Sequence, residues 1–205
     1  MTLLPPSLGY AAETTAVAET EPLAITVRVR DTARVPEDVL AEAQGDVTQI
    51  YRQAGVDVTW ATPESLCAES HAVRRATLTV AILSSEQAAR IRKGVMSDRA
   101  GFTARGDAAE GGRVAYVLYD RIDMLAEPNE WNQARMLAVV MAHEIGHLLL
   151  PYDAHSPHGL MRADWSIADL QLAQRTLSLF TATQSNLLRS RVLALRGEPK
   201  HKSFC

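Results

Sequence analysis

Two histidines four positions apart, together with the glutamate that follows the first of them, are the residues of this sequence best suited to chemistry. They are His143, Glu144 and His147, and they form the pattern H-E-x-x-H. Positions i and i+4 lie on the same face of a helix, so the two imidazoles can bind one metal ion, and zinc suits this donor pair. Glu144 lies roughly 100° around the helix from His143. From there it can act as general base for a metal-activated water without being a ligand itself.

The helix that carries these side chains is predicted to be buried. From Leu137 to Leu150, the residues other than the His-Glu-His trio and Gly146 are all Leu, Val, Met, Ile or Ala. A helix that is apolar on all sides normally lies in the core. Two imidazoles and a carboxylate without partners would cost several kcal/mol there, and a bound metal removes that cost. We therefore interpret the pattern as a metal site rather than as a structural histidine pair.

This stretch resembles the metzincin branch of the zinc metallopeptidases, whose pattern is H-E-x-x-H-x-x-G-x-x-H followed by a Met-turn. Gly159-Leu160-Met161 is similar to that turn, which places a methionine beneath the metal. The resemblance covers about residues 137–165. The chain departs from the family pattern at two positions, because the family glycine falls on Leu150 and the family's third histidine falls on Asp153.

The third metal ligand is expected to come from the loop after the helix. Pro151 lacks an N–H group and disfavours the α conformation at Leu150, so the helix must end there. His155 has four residues in which to turn back and has a long side chain, so it is the expected third ligand. Asp153 is the next alternative, since small bacterial zincins with an aspartate in that register are similar in outline, and His158 follows it.

The resemblance implies a zinc-dependent metallopeptidase that hydrolyses peptide bonds. Three protein ligands leave one zinc position for water, and Glu144 would take the proton and later pass it to the leaving amine. Candidates for stabilising the oxyanion are Tyr119, Tyr152 and His158. By the same resemblance, the strand before the active helix would form the edge along which a peptide lies. Tyr116 to Tyr119 and the loop before them would flank the cleft.

Two other functions stay open at this point. One is a binding protein that keeps a zinc-stabilised fold but cleaves nothing, and the other is a zinc hydrolase that acts on a different amide or on an ester. The intact Glu144 favours an enzyme. Function has to be judged from the site, and only half of that site is visible in the sequence.

The length of the chain allows one domain or a small two-lobed one, and residues 23–197 are expected to form a single catalytic domain of the kind that the resemblance implies. The chain has 205 residues, 47% of them apolar, which is enough for a real core. A net charge of −3 and a pI near 6.1 argue against a nucleic-acid partner. The sequence has no run of 18 apolar residues, so no membrane span is predicted. The expected partner is a peptide or protein substrate, and the chain is expected to be a monomer.

The two ends of the chain are predicted to lie outside this domain. Residues 1–22 are expected to be a disordered leader or the remnant of a signal peptide, and residues 198–205 a flexible basic tail. Gly9-Tyr10-Ala11-Ala12 is compatible with a cleavage site, so a secreted or periplasmic location is expected. The isolated His71 and His201 are expected not to bind the metal. The two cysteines, Cys67 and Cys205, permit one disulfide without requiring it.

The order of predicted elements indicates an α+β fold, and the resemblance implies that this fold is of the zincin type. It comprises a small mixed sheet with helices, the buried H-E-x-x-H helix and a helical C-terminal part. Predicted strands cover residues 23–30, 56–60, 76–82 and 113–120, and predicted helices cover 36–54, 84–93, 137–150, 166–180 and 183–196. Residues 94–112 are predicted to be a long glycine-rich connection.

Overall fold

The structure, a computed structural model, describes residues 22–62, 76–91, 100–105, 113–151 and 154–197. These residues form an α+β fold around one mixed sheet, as predicted. The sheet has the order β2-β1-β3-β5-β4, and β4 is the one antiparallel strand among those described. The strands are β1 (Ala24–Asp31), β2 (Asp57–Trp60), β3 (Ala76–Leu83), β4 (Gly101–Arg105) and β5 (Arg113–Leu118).

Six α-helices and a short 3₁₀ turn, Glu127–Asn129, lie between and after these strands in the described part of the chain. The helices are α1 (Glu37–Gln53), α2 (Ser85–Ile91), α3 (Tyr119–Ala126), α4 (Gln133–Leu149), α5 (Ile167–Arg175) and α6 (Ala182–Gly197). None of them is long and apolar enough to cross a membrane.

Local sequence signals account for several of the helix starts. The sequence predicts capping boxes at three helix starts, from Ser84 with Gln87, Ser166 with Asp169 and Thr181 with Gln184. In the one before α5, Ser166 Oγ accepts the Asp169 N–H at 3.2 Å, while Asp169 Oδ2 accepts the Ser166 N–H at 3.0 Å. Ser84 with Gln87 does the same for α2, where Gln87 Oε1 accepts the Ser84 N–H at 2.8 Å. Each reciprocal pair satisfies two backbone donors that the first helical turn leaves without partners.

The strand at this edge of the sheet is not the one expected from the sequence. Residues 101–105, predicted as part of a connection, form the edge strand β4, while β5 lies inside the sheet between β3 and β4. Residues 94–99 and 106–112 of that predicted connection lie outside the described part. The predicted strand 113–120 also ends early, because helix α3 begins at Tyr119. The expectation that β5 forms the edge of the cleft is therefore wrong.

The predicted helix 166–180 is also too long, since α5 ends at Arg175. Thr176 has extended backbone angles (φ −137°, ψ 149°), and the chain beyond it pairs with the loop that follows α4. There the Leu179 carbonyl accepts the Leu160 N–H at 2.8 Å. This tertiary hydrogen bond takes the place of the helical continuation that the sequence pattern favoured.

Helices α1 and α4 cover one face of the sheet and form the main core with it. Ile25 and Val27 of β1 and Ala115 and Val117 of β5 are fully buried on that face. A smaller apolar cluster that includes Phe102 and Leu118 covers the other face. The core therefore fixes α4 against β5 and the edge strand β4.

Candidate metal centre

Helix α4 is positioned by a polar cap at its start and by a proline at its end. Asn132 Oδ1 accepts the Arg135 N–H at 2.8 Å, which satisfies a donor of the first turn. Leu150 has extended angles (φ −86°, ψ 163°), as predicted from Pro151. Most residues of α4 are buried, which confirms the predicted burial of the helix.

Three histidines converge at the C-terminal half of α4. The nearest ring nitrogens of His143, His147 and His155 all lie within 4.8 Å of one another. Nε2 of His143 lies 3.0 Å from Nε2 of His147. Two nitrogens bound to one tetrahedral zinc at about 2.0–2.1 Å are roughly 3.3 Å apart. The helical pair is thus close to the spacing that zinc requires, and this donor set fits the ion.

His143 is held in the tautomer that a metal requires. Its Nδ1–H donates to the Leu160 carbonyl at 2.9 Å, because a carbonyl can only accept, and Nε2 keeps its lone pair. Burial lowers the pKa of His143 below its ordinary value, and the bond to Leu160 acts in the opposite direction. The neutral imidazole that binds metal is therefore the favoured form of this residue at neutral pH.

Glu144 belongs to α4, and its side chain is buried against the edge strand β4, with 6% of the residue's surface exposed. It lies directly against Gly101, the first residue of β4. A Cβ atom at Gly101 would lie 2.7 Å from Oε1 of Glu144 and 2.8 Å from its Cγ. The absence of a side chain at Gly101 is what allows the carboxylate to occupy this position.

The predicted turn at Gly159-Leu160-Met161 packs against helix α4, which carries His143 and His147. Gly159 has a φ of +79°, and a Cβ atom there would lie 2.8 Å from the Leu179 carbonyl. Met161 is fully buried, and its Sδ would lie 2.6 Å from a Cβ atom at Gly146. The turn therefore places the methionine against the backbone of α4, one residue before His147.

Aromatic residues complete the support of α4. The Phe180 ring packs edge-on against Tyr51, with the ring centroids 5.1 Å apart, and it also lies beside Gly146. The Tyr51 hydroxyl donates to the Ala142 carbonyl at 3.0 Å. Burial raises the pKa of Tyr51 well above its ordinary value, so it stays a neutral donor. These contacts fix the turns of α4 on both sides of His143.

Two other residues that the sequence suggested for the site, His158 and Tyr119, lie outside the group of three histidines. His158 is exposed and lies outside the group of three histidines. Tyr119 donates to Gln133 Oε1 at 3.3 Å, and Gln133 precedes His143 by ten helical residues, or about 15 Å. Tyr119 therefore lies at the far end of α4, and its expected role as an oxyanion stabiliser is wrong.

Tyr116 does not flank the site either. The residues before and after it in β5 face α4, whereas Tyr116 stacks on Phe102 in the cluster on the opposite face, with ring centroids 4.8 Å apart. The candidates Asp153 and Tyr152 lie outside the described residues, as do four other residues named in the sequence analysis: His71, His201, Cys67 and Cys205.

Two contributors to the site were missed at the sequence level. One is Gly101, because its strand was taken for a connection. The other is Gln184, which was interpreted as a helix cap and whose side chain also reaches the loop that carries His155. The sequence contains a signal for the helix cap, but none for the hydrogen bond from Gln184 to the Ala154 carbonyl, 30 residues away.

No protein family model matches this chain, and no curated protein is similar enough to count as a relative. The features of the chain that bear on its function are therefore the geometry of the three histidines with Glu144 and the resemblance over about residues 137–165.

Proposed function

We propose that this chain is a zinc-dependent metallopeptidase of the zincin class. His143, His147 and His155 are the zinc ligands, and Glu144 is the general base. The observation that carries this proposal is that three imidazole nitrogens lie within 4.8 Å of one another. The buried carboxylate of Glu144 belongs to the same helix as two of them, those of His143 and His147. Imidazole donors suit zinc, and a three-ligand set is typical of catalytic rather than structural zinc sites.

Glu144 performs the proton transfers of the reaction. When bound, zinc lowers the pKa of water to about 7 and polarises a carbonyl oxygen. The Glu144 carboxylate accepts a proton from the attacking water and returns it to the leaving nitrogen. Its contact with Gly101 restricts the positions that the carboxylate can adopt. His143 contributes a neutral imidazole whose tautomer is set by its bond to the Leu160 carbonyl.

The edge strand β4 supports a peptide as the substrate. Among the described strands, β4 has a neighbour on one side only. An exposed strand edge offers backbone N–H and C=O groups to an extended peptide. Gly101 lies at the start of this edge and in contact with Glu144. A peptide paired with β4 would therefore pass close to the general base.

The test is to replace Glu144 with glutamine and to measure zinc content and hydrolysis of a mixed peptide library. Glu144→Gln is expected to retain one zinc per chain and to lose peptide hydrolysis by at least about 100-fold, since the base contributes roughly that much or more. Glu127→Gln, which neutralises an exposed carboxylate, is the matched control and should keep both properties. A Glu144→Gln protein without zinc would show that Glu144 is a ligand. Full hydrolysis by this variant would remove it as the base.

A further inference from the structure

Gln184 is a buried polar side chain whose amide group joins two parts of the molecule. Only 6% of its surface is exposed, and it lies in the first turn of α6. Its side-chain oxygen Oε1 accepts the Thr181 backbone N–H at 3.0 Å, and its backbone N–H donates to Thr181 Oγ1 at 3.3 Å. This reciprocal pair is the predicted capping box, and it uses only the oxygen of the Gln184 amide.

The amide nitrogen of Gln184 donates to the chain on both sides of His155. Nε2 lies 2.9 Å from the Ala154 carbonyl and 3.0 Å from Ser156 Oγ. The orientation of the amide follows from its partners, because the Thr181 N–H needs an acceptor and the Ala154 carbonyl needs a donor. Both hydrogens of the amide nitrogen are thus used on the loop that carries the proposed third ligand.

Among the described residues near His155, the other contacts of this loop are the packing of Ala154 against the main core and a few hydrogen bonds. The Ser156 N–H donates to the Met161 carbonyl at 2.8 Å, and the Ser156 hydroxyl donates to the His158 carbonyl at 2.8 Å. The ring of His155 is exposed, so burial contributes little to its position. His143 and His147, in contrast, belong to a buried helix with a continuous hydrogen-bond ladder. The position of His155 therefore depends on the contacts of its loop, and Gln184 contributes two hydrogen bonds to them.

We propose that Gln184 is a positioning residue of the metal site. It holds the main chain at Ala154 and Ser156, so that the His155 imidazole reaches the point defined by the two helical histidines. This inference rests on the proposed function, because it requires that His155 binds zinc. Loss of the two Gln184 donors would leave the ligand loop free to move and would weaken zinc binding without removing any ligand.

Gln184→Glu and Gln184→Met test this role. Glutamate keeps an oxygen for the Thr181 N–H but cannot donate to Ala154 and Ser156. Methionine has a similar length and no charge, so it separates the loss of the donors from the effect of an added carboxylate. Zinc affinity is measured by competition with a chromophoric chelator. Both variants are expected to bind zinc about 10- to 100-fold more weakly, the range found for residues that orient metal ligands.

A double-mutant cycle with His155→Ala distinguishes positioning from general destabilisation. If Gln184 acts through His155, the Gln184 substitutions should change zinc affinity by less than about 2-fold in the His155→Ala background, because the interaction is already lost there. Thr181→Ala is the control for the helix cap. It should lower the melting temperature by a few degrees, as the loss of an N-cap does, and leave zinc affinity within about 2-fold of wild type.

Three results would overturn the inference. Wild-type zinc affinity in both Gln184 variants would exclude the positioning role while the proposed zinc site stands. An equal loss with and without His155 would assign Gln184 to overall stability instead. A wild-type protein that binds no zinc would overturn the proposed function, and this inference with it. Far-UV circular dichroism shows whether Gln184→Met folds. If it does not, the zinc affinity of Gln184→Glu, which keeps the helix cap, tests the positioning role by itself.

Discussion

His155 comes to the proposed metal site from a loop, whereas His143 and His147 come from one helix. The chain turns off the helix at Leu150, whose extended backbone is enforced by Pro151. Beyond this turn, the His155 ring lies with its centroid 4.7 Å from that of His147 and 5.6 Å from that of His143. Because its backbone is not part of a helix or strand, His155 is the ligand whose assignment most needs a direct test.

Replacement of each candidate ligand with alanine provides that test. His155→Ala is expected to lower zinc affinity by more than about 100-fold, since the loss of groups that merely orient ligands already costs roughly 10- to 100-fold. His158→Ala and Asp153→Ala are expected to retain one zinc per chain. Metal analysis of the three purified variants decides among them. A zinc-free Asp153→Ala protein beside a zinc-loaded His155→Ala protein would assign the third position to the aspartate.

The individual residues of the site were predictable to different degrees. His143, Glu144 and His147 follow from a spacing of one helical turn, which depends only on local geometry. His155 followed from the position at which Pro151 ends the helix. Gly101 and Gln184 could not be predicted, because each contributes through a partner far away in the sequence, and a single sequence carries no information about such pairs.

At the scale of elements, the turn after the ligand loop packs directly beneath α4. Met161 contacts this helix at Gly146, where a side chain would collide with the methionine sulfur. Met161→Leu keeps the volume and the apolar character, so it is expected to lower the free energy of unfolding by less than about 1.5 kcal/mol. Met161→Asp buries a carboxylate without a counter-charge and is expected to impair folding.

Urea unfolding of the two Met161 variants in the presence of chelator measures this effect apart from zinc binding. The leucine variant serves as the volume-matched control. Wild-type stability and activity in Met161→Asp would place residue 161 outside the core and would remove the structural basis for the likeness to a Met-turn.

The contact between β4 and α4 leads to a prediction about Gly101. In Gly101→Ala the new Cβ would lie 2.7 Å from Oε1 of Glu144, so the carboxylate or the strand must move. A shift of about 1 Å in a catalytic group can cost on the order of 100-fold in rate. We therefore expect about 10- to 100-fold slower peptide hydrolysis with one zinc still bound. Thr103→Ala, a change on the same strand, is the control and should leave the rate near wild type. A wild-type kcat in Gly101→Ala would show that the contact between Gly101 and Glu144 does not orient the base.

Elements with strong local signals were predicted well, and those shaped by tertiary contacts were not. The helix starts at Ser84, Ser166 and Thr181 have capping boxes that can be recognised in the sequence. Strand β4 has only five residues and lies within the glycine-rich stretch 94–112, so its pattern is too short to favour a strand. The end of α5 at Arg175 depends on the bond between Leu160 and Leu179, which no local pattern reveals.

On the scale of the whole molecule, the sheet brings the parts of the site together. The α+β class was predicted from the alternation of strand and helix patterns, but the strand order was not. The order β2-β1-β3-β5-β4 depends on pairings between strands that are distant in sequence, such as Val27 with Leu78 and Val80 with Ala115. This order places β4 at the edge beside α4, so that Gly101 meets Glu144. The proposed peptide-binding edge is thus a property of the topology rather than of any one segment.

The measurement that tests the proposed function most directly is zinc stoichiometry combined with chelator-sensitive peptide cleavage by the purified full chain. We predict one zinc per chain, hydrolysis of a mixed peptide library by the zinc-loaded protein, loss of hydrolysis after removal of the metal and recovery when zinc is restored. His143→Ala and His147→Ala are the controls, and both should lose the metal and the hydrolysis together. A chain that binds no zinc, or a fully zinc-loaded chain that cleaves no peptide in the library, would contradict the proposal.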